Sequence, residues 1–323
     1  MDGLPRTLTP LAALLDRIVA ISPLMRTESV PLAQGFGRVL AEALRAEGPL
    51  PARPVARRSG VAVRAEETLG AGPYAPALLT LAEPVPAGGV LPSGADAVLA
   101  HEAVEEIGTG FAATVPAAPG DGAVGAGGEA APGALLVPSG TVLGPTHIAV
   151  AAALGRERLT VRAEPRVAVR LDGPAGLFLR AVVGDAPGPP DVIVRPASGK
   201  PCLAARPIET VELAAAEGVP ILRLPHDAAA WLGWCALGAP MLRRLTGRPE
   251  PEPVTARLSG RIASAVGMTD LVLVRLCGET AEPLASPDAP TLAALAAADG
   301  MVVIPPESEG LPAGAAVAVQ RFC

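Results

Sequence analysis

The chain has 323 residues, room for two or more hydrophobic cores, and half of its residues are hydrophobic. Aromatics make up only 2%, so Ala, Val and Leu must fill the interior, and 36 Gly with 37 Pro predict short elements joined by many turns. A net charge of −6 without a basic run weighs against nucleic acid, and no apolar run is long enough, free of Pro, Gly and charge, to span a membrane.

The first element in chain order is an amphipathic helix over 9–21. Thr9 is the expected N-cap, Pro10 the first helical residue, and Leu11, Leu14, Leu15 and Ile18 the buried stripe. A second helix is expected over 31–46, with Val39 and Leu40 facing inward. From Gly48 to Gly133 the pattern changes to short strands broken by Pro and Gly: 61–64, 78–81, 97–100 and 112–115. The run 119–133 reads as a flexible loop. Its Gly120-x-Gly122-x-x-Gly125 spacing imitates a dinucleotide fingerprint, but no helix follows and no acid ends a next strand.

A strand over 134–137, a turn at Ser139–Gly140 and a helix over 145–154 come next. The run 166–171 has the continuous apolar character of a parallel strand. It is followed by a helix (176–183), a strand (191–194), a helix (211–217), a strand (220–224) and a long helix (228–245). Alternation of strands and helices indicates an α/β layer. GRPEPEPV reads as a linker, and the remaining strands, 255–259, 270–276, 300–304 and 316–320, as a C-terminal β-domain. Cys202, Cys235, Cys277 and Cys323 contain no C-x-x-C pair and, with three scattered histidines, no zinc pattern. They read as reduced thiols of a cytoplasmic protein, and the N-terminus MDGLPRTLTP does not read as a signal peptide.

Four stretches in order carry a family resemblance. LPARPVARRSGVAVRA (50–65) is similar in frame to L-P-x-F-D-N-S-A-M-D-G-Y-A-V-R-A. LPSGADAVLAHE (91–102) is similar to P-x-G-A-D-A-V-x-x-x-E. The stretch 128–169 resembles G-E-D-I-x-x-G-x-x-L-x-x-G-x-x-L running on to P-R-V-A-V. AADGMVVIPPESEGLPAGAAVAV (297–319) resembles A-D-G-L-V-V-I-P-x-x-x-E-G-x-x-A-G-x-x-V-x-V. By all four the chain resembles the molybdopterin molybdenumtransferase family, the MoeA and gephyrin E-domain group.

The resemblance implies an L-shaped, multi-domain α/β plus β architecture: an elongated α/β linker domain (27–48 and 134–163), an inserted β-domain (49–133), a truncated molybdopterin-binding-like α/β domain (1–26 and 164–248) and a C-terminal β-barrel-like domain (249–323). It also implies a homodimer, with molybdoenzymes or cofactor-maturation proteins as further partners and neither nucleic acid nor membrane among them. The family inserts molybdate into adenylylated molybdopterin and uses a divalent metal.

The residues that chemistry needs are largely replaced. The D-G-Y-A aspartate falls on Ser59, with Arg57 and Arg58 beside it, and the T-G-A-P threonine falls on Ala87. An arginine falls on Gly125. Gly128 and Glu129 keep the start of G-E-D-I, whose aspartate falls on Ala130, and an acidic pair falls on Pro174 and Ala175. A hydroxyl cannot replace a carboxylate as a metal ligand. The interval after Pro165 is shorter than the family's βαβ series.

Ligand-binding candidates that remain are Asp172, Lys200 (the only lysine, in a G-K-P turn), His226, Asp227 and Glu129. Asp227 is expected to cap the next helix rather than form a catalytic dyad with His226. His101, Glu102 and His147 read as structural, and Trp231 and Trp234 as packing residues. No cofactor is expected from these residues themselves; the resemblance implies molybdopterin or molybdate as ligand, and Mg2+ only in an active enzyme. The expectation is a degenerate, non-catalytic binding or assembly protein of molybdenum-cofactor biosynthesis. An active transferase using Asp172, Lys200 and Asp227, or a ligand- or protein-binding module on a reused scaffold, are the alternatives.

Overall fold

A computed structural model describes residues 8–184 and 188–322. The first seven residues, where a leader was not expected, and Cys323, expected as a reduced thiol, lie outside the described residues. The chain divides into two compact units, 29–160 and 1–28 with 161–323.

The 29–160 unit is built from short antiparallel pairs. Gly60–Val63 lies between Glu83–Val85 and Ala97–Leu99, and a second sheet has the order Ala77–Leu79, Gly110–Ala113, Val104–Ile107. The Gly60–Val63 strand is buried on both faces. Val61 and Val63 join a cluster with Leu99 and Ala113, while Ala62 joins Val85, Leu91 and Val98 on the other side. This is the period-2 alternation of a strand with a core on each face.

The helix expected over 31–46 does not form. Leu32–Gln34 is a single 3-10 turn, Val39 bridges Val142, and Leu44–Arg45 pairs with Leu135–Val137. Val39 and Leu40 are buried as expected, but from an extended backbone. Gly37 breaks the helical path with a left-handed backbone, and Gly35 lets Leu159 pack close. A Cβ at Gly35 would lie 2.9 Å from Leu159 Cδ1, and Gly37 has φ +75°. The 119–133 run is also more structured than its composition suggests. Ala123–Val124 pairs antiparallel with Val55–Ala56, and the Val98 N–H donates to the Asp121 carbonyl at 2.7 Å.

In the other unit, the first helix is Leu11–Ile21, with Leu11, Leu14 and Ile18 buried. Pro10, not Thr9, occupies the N-cap position. Thr9 instead extends alongside Leu203, its N–H donating to the Cys202 carbonyl at 2.9 Å. A four-stranded sheet has the order Val167–Val169, Val192–Pro196, Val219–Leu224, Glu212–Ala216. The first three strands are parallel and the fourth antiparallel.

That fourth strand occupies the stretch expected as the helix 211–217. ELAAAEG has high helix propensity, but Glu217 (φ 52°) and Gly218 (φ 81°) form a two-residue hairpin turn with both residues left-handed. Cross-strand pairing with Val219–Leu224 overrides propensity.

The long helix expected over 228–245 forms as Ala229–Gly233, a π-helical turn Trp234–Gly238, and Ala239–Thr246. Pro240 lacks the N–H of a regular helix, and the π turn lies where that break must be absorbed.

The last strands close into a ring. Thr269–Cys277, Thr280–Pro283, Val254–Leu258, Ala316–Arg321 and Gly300–Ile304 pair in that order, and the last pairs back to the first; Ala205–Arg206 adds to the outside of Thr269–Cys277. Val272, Val274, Val302 and Ile304 point into the barrel core. Leu271, Leu273 and Met301 point outward into the core of the α/β layer. The barrel that follows GRPEPEPV thus shares an apolar face with the α/β layer.

Candidate functional site

The predicted site residues fall into two groups, one in each unit. In the 29–160 unit the structure brings Ser59 and Ala87 together: the Ala87 N–H donates to Ser59 Oγ at 3.1 Å. Both are exposed. Gly60 sets this position, since a Cβ there would lie 2.1 Å from the Leu99 carbonyl oxygen. The loop is fixed by backbone bonds: Ala56 N–H to Gly89 O at 2.8 Å, Gly88 N–H to Ala56 O at 2.7 Å, and Arg57 N–H to Gly122 O at 2.8 Å. Arg58 folds back to donate to the Val98 carbonyl at 2.9 Å. Glu129 and Gly125 lie exposed on the adjoining turn, where the Glu129 N–H donates to Leu50 O at 2.9 Å.

This group does not fit a divalent cation. Ser59 offers one neutral hydroxyl, and the neighbouring Arg57 and Arg58 side chains oppose a second positive charge. Among the described residues, no cluster of three or more His, Cys, Asp or Glu side chains could hold a metal.

In the other unit, Asp172, Lys200, His226 and Asp227 follow the C-terminal ends of the three parallel strands, 167–169, 192–196 and 219–224. Loops at that end of a parallel sheet are where open α/β sheets bind ligands. Asp172 occupies the N-cap position of the helix Gly173–Val183 without a side-chain cap bond. Pro174 is exposed, whereas Ala175 is 2% exposed and packs in the core, so its position presents nothing to a ligand. Asp227 Oδ1 accepts from the Ala229 N–H at 3.0 Å, and both His226 and Asp227 are exposed.

Lys200 lies on a cleft of about 330 Å³ that sequence reasoning did not find. Thr9 and Arg17 of the N-terminal segment, Ser198, Cys202 and Glu212 share its walls, and Leu14, Leu203, Val211 and Leu213 supply apolar lining. Arg17 and Lys200 are separated by most of the chain, and no local spacing links them. A larger cleft of about 370 Å³ at the barrel rim contains none of the predicted residues, and its one charged lining residue is Arg261. The Lys200 cleft therefore carries more chemistry.

Ser198 organises that cleft. Its hydroxyl and its N–H both donate to Glu212 Oε1, and this hydrogen bond lowers the Glu212 pKa against the opposing effect of burial; Arg223 lowers it further. Burial and the nearby Glu212 carboxylate raise the Cys202 pKa, which keeps the thiol protonated and a poor nucleophile.

A depressed carboxylate pKa adds stability above the ordinary value of 4.5. That contribution disappears as pH falls through the lowered folded value. Ser198→Ala is therefore expected to lower stability modestly at pH 7 and to converge with the parent in acid. Urea midpoints from pH 7 to pH 3 measure this, and a pH-independent difference would contradict it.

Comparison with known proteins fixes the class. Residues 9–155 match the model of the MoeA N-terminal region (domain I and II), and residues 255–322 match that of the MoeA C-terminal region (domain IV). Two crystal structures of the molybdopterin biosynthesis moeA protein from Pyrococcus horikoshii share the fold. They give TM-scores of 0.79 and 0.78 at 22% and 24% identity, covering 98% of this chain and 100% and 99% of theirs. The architecture is thus the multi-domain MoeA-like fold, and the chain belongs to the MoeA family. It is 33% identical over 162 residues to molybdopterin molybdenumtransferase 2 of Mycobacterium tuberculosis, a match spanning 45% of this chain and 40% of that relative's length. Among the described residues, no helix is long and apolar enough to cross a membrane.

Proposed function

We propose that this protein serves molybdenum-cofactor biosynthesis in the cytoplasm as a homodimeric, non-catalytic binding or assembly protein. The contact between Ser59 and Ala87 carries the reading. The family resemblance places a carboxylate and a threonine hydroxyl at these two adjacent positions. Here a neutral hydroxyl accepts from the backbone, and one of the two side chains is a methyl group. Lys200 and Arg17, on the cleft in the other unit, offer positive charge to the anionic groups of a molybdopterin or to molybdate.

The expected result is that the full chain fails to restore molybdoenzyme activity in a strain lacking its molybdenum insertase, yet binds molybdopterin in calorimetry. Restored activity would overturn the non-catalytic reading. One observation favours the alternative of an active transferase: Asp172, Lys200 and Asp227 follow neighbouring parallel strands at the same sheet end. If activity is restored, simultaneous Ala substitution of those three should abolish it.

A further inference from the structure

The loop 53–59 carries Arg53, Arg57 and Arg58 and no acidic residue, in a chain of net charge −6. In the family frame the same loop bears two aspartates, at the positions of Pro54 and Ser59. Arg53 and Arg57 are exposed, and among the described residues neither guanidinium has a hydrogen-bond or ion-pair partner. Arg58 is held by the Val98 carbonyl. The nearest acid by backbone pairing, Asp121, accepts from the Ala118 N–H in its own turn at 2.8 Å. Glu129 lies on the turn bonded to Leu50. Val90, paired with Val55, adds an exposed apolar side chain.

We propose that this loop is a docking surface for a carboxylate-rich segment of a partner protein. The anchored backbone presents Arg53 and Arg57 without loop-ordering cost, and guanidinium forks match carboxylates. The Ala56, Arg57, Ala87, Gly88, Gly89 and Leu91 N–H groups all bond within the protein and offer nothing to a small oxyanion, so the donors the loop presents most openly are the two guanidiniums. An extended nucleic acid is disfavoured by the chain's overall negative charge and by the absence of aromatic residues from the loop to stack bases. The surface supplies a partner class for the assembly role proposed above. It rests on that role only for the pathway in which the partner works.

The test is fluorescence anisotropy of a labelled poly-glutamate peptide with the full chain. Binding is expected to weaken with salt. The pair Arg53→Glu with Arg57→Glu should reduce affinity by roughly tenfold or more, and Arg53→Gln with Arg57→Gln by less. Arg261→Glu, an exposed arginine of the other unit, should have no effect. Absence of binding, or equal binding by the Arg53/Arg57 reversal, overturns the proposal. So does competition by millimolar inorganic phosphate at matched ionic strength, which would mark a small-oxyanion site, or equally tight binding of polyuridylate. None of these measurements involves molybdenum chemistry, so the docking surface and the cofactor role can fail independently.

Discussion

Arg206→Met is expected to destabilise the protein by about 3–5 kcal/mol, because it strands a buried carboxylate. Asp270 has no exposed surface, and Arg206 is 17% exposed. The guanidinium makes a two-pronged contact with that carboxylate, Nε to Oδ1 and Nη2 to Oδ2, each at 2.7 Å. These bonds and the attraction of Asp270 and Asp288 raise the already high Arg206 pKa. The methionine retains most of the apolar stem, so the loss isolates the charge rather than packing volume.

The partners should rank in a definite order. Asp270→Asn keeps shape and leaves Arg206 its bond to Asp288, so it should cost less than Arg206→Met. Asp288→Ala removes an ion pair whose acid is 60% exposed and should cost about 0–1 kcal/mol. Urea unfolding of the three variants checks the ranking, and near-parental stability of Arg206→Met would refute it. The pair ties Ala205–Arg206 to the Thr269–Cys277 strand, so its loss should loosen the barrel's attachment to the α/β layer.

Gly176→Ala is expected to cost about 3 kcal/mol or more, for a steric reason. A Cβ at Gly176 would lie 1.8 Å from the Leu171 carbonyl oxygen and 2.6 Å from its carbon. Backbone cannot rotate aside, and Arg180 Nη2 holds that carbonyl at 3.2 Å and the Val169 carbonyl at 3.0 Å. Either the helix Gly173–Val183 or the end of the first parallel strand must move.

Phe178 on this helix meets Trp231 edge-to-face at 5.2 Å between centroids. The variant should therefore change tryptophan fluorescence of the folded state as well as lower the urea midpoint. Gly125→Ala provides the contrast: no atom lies within 4 Å of its Cβ position and its φ is not left-handed, so it should be nearly neutral. A neutral Gly176→Ala would show that this helix is free to shift.

Most strands were legible because their signals are local. Gly300–Ile304 and Thr269–Cys277 are dense in Val, Leu and Ile and bounded by turn residues. The two misread helices show where local signals fail. The stretches 31–46 and 211–217 are rich in Ala, Leu and Glu, and only Gly35, Gly37 and the Glu217–Gly218 turn reveal that tertiary pairing wins. The helix Leu292–Ala297, six residues long, was too short to give a readable period.

The motif frames placed Ser59 and Ala87 at related positions, but not their hydrogen bond, which joins residues on separate loops. The cleft around Lys200 was legible only in its lysine. Its remaining walls come from an N-terminal helix and from the first strand of a hairpin, which sequence reasoning took for a helix.

The barrel's two-sided strands have an evolutionary consequence. Alternate residues of Thr269–Cys277 serve different interiors, with Val272 and Val274 in one and Leu271 and Leu273 in the other. A lineage can shorten loops or replace reactive side chains one at a time without disturbing that arrangement. It cannot discard the last quarter of the chain, because the layer bearing Asp172, Lys200 and Asp227 would lose part of its own interior. Residues with no part in any chemistry are thus held to their places by packing alone.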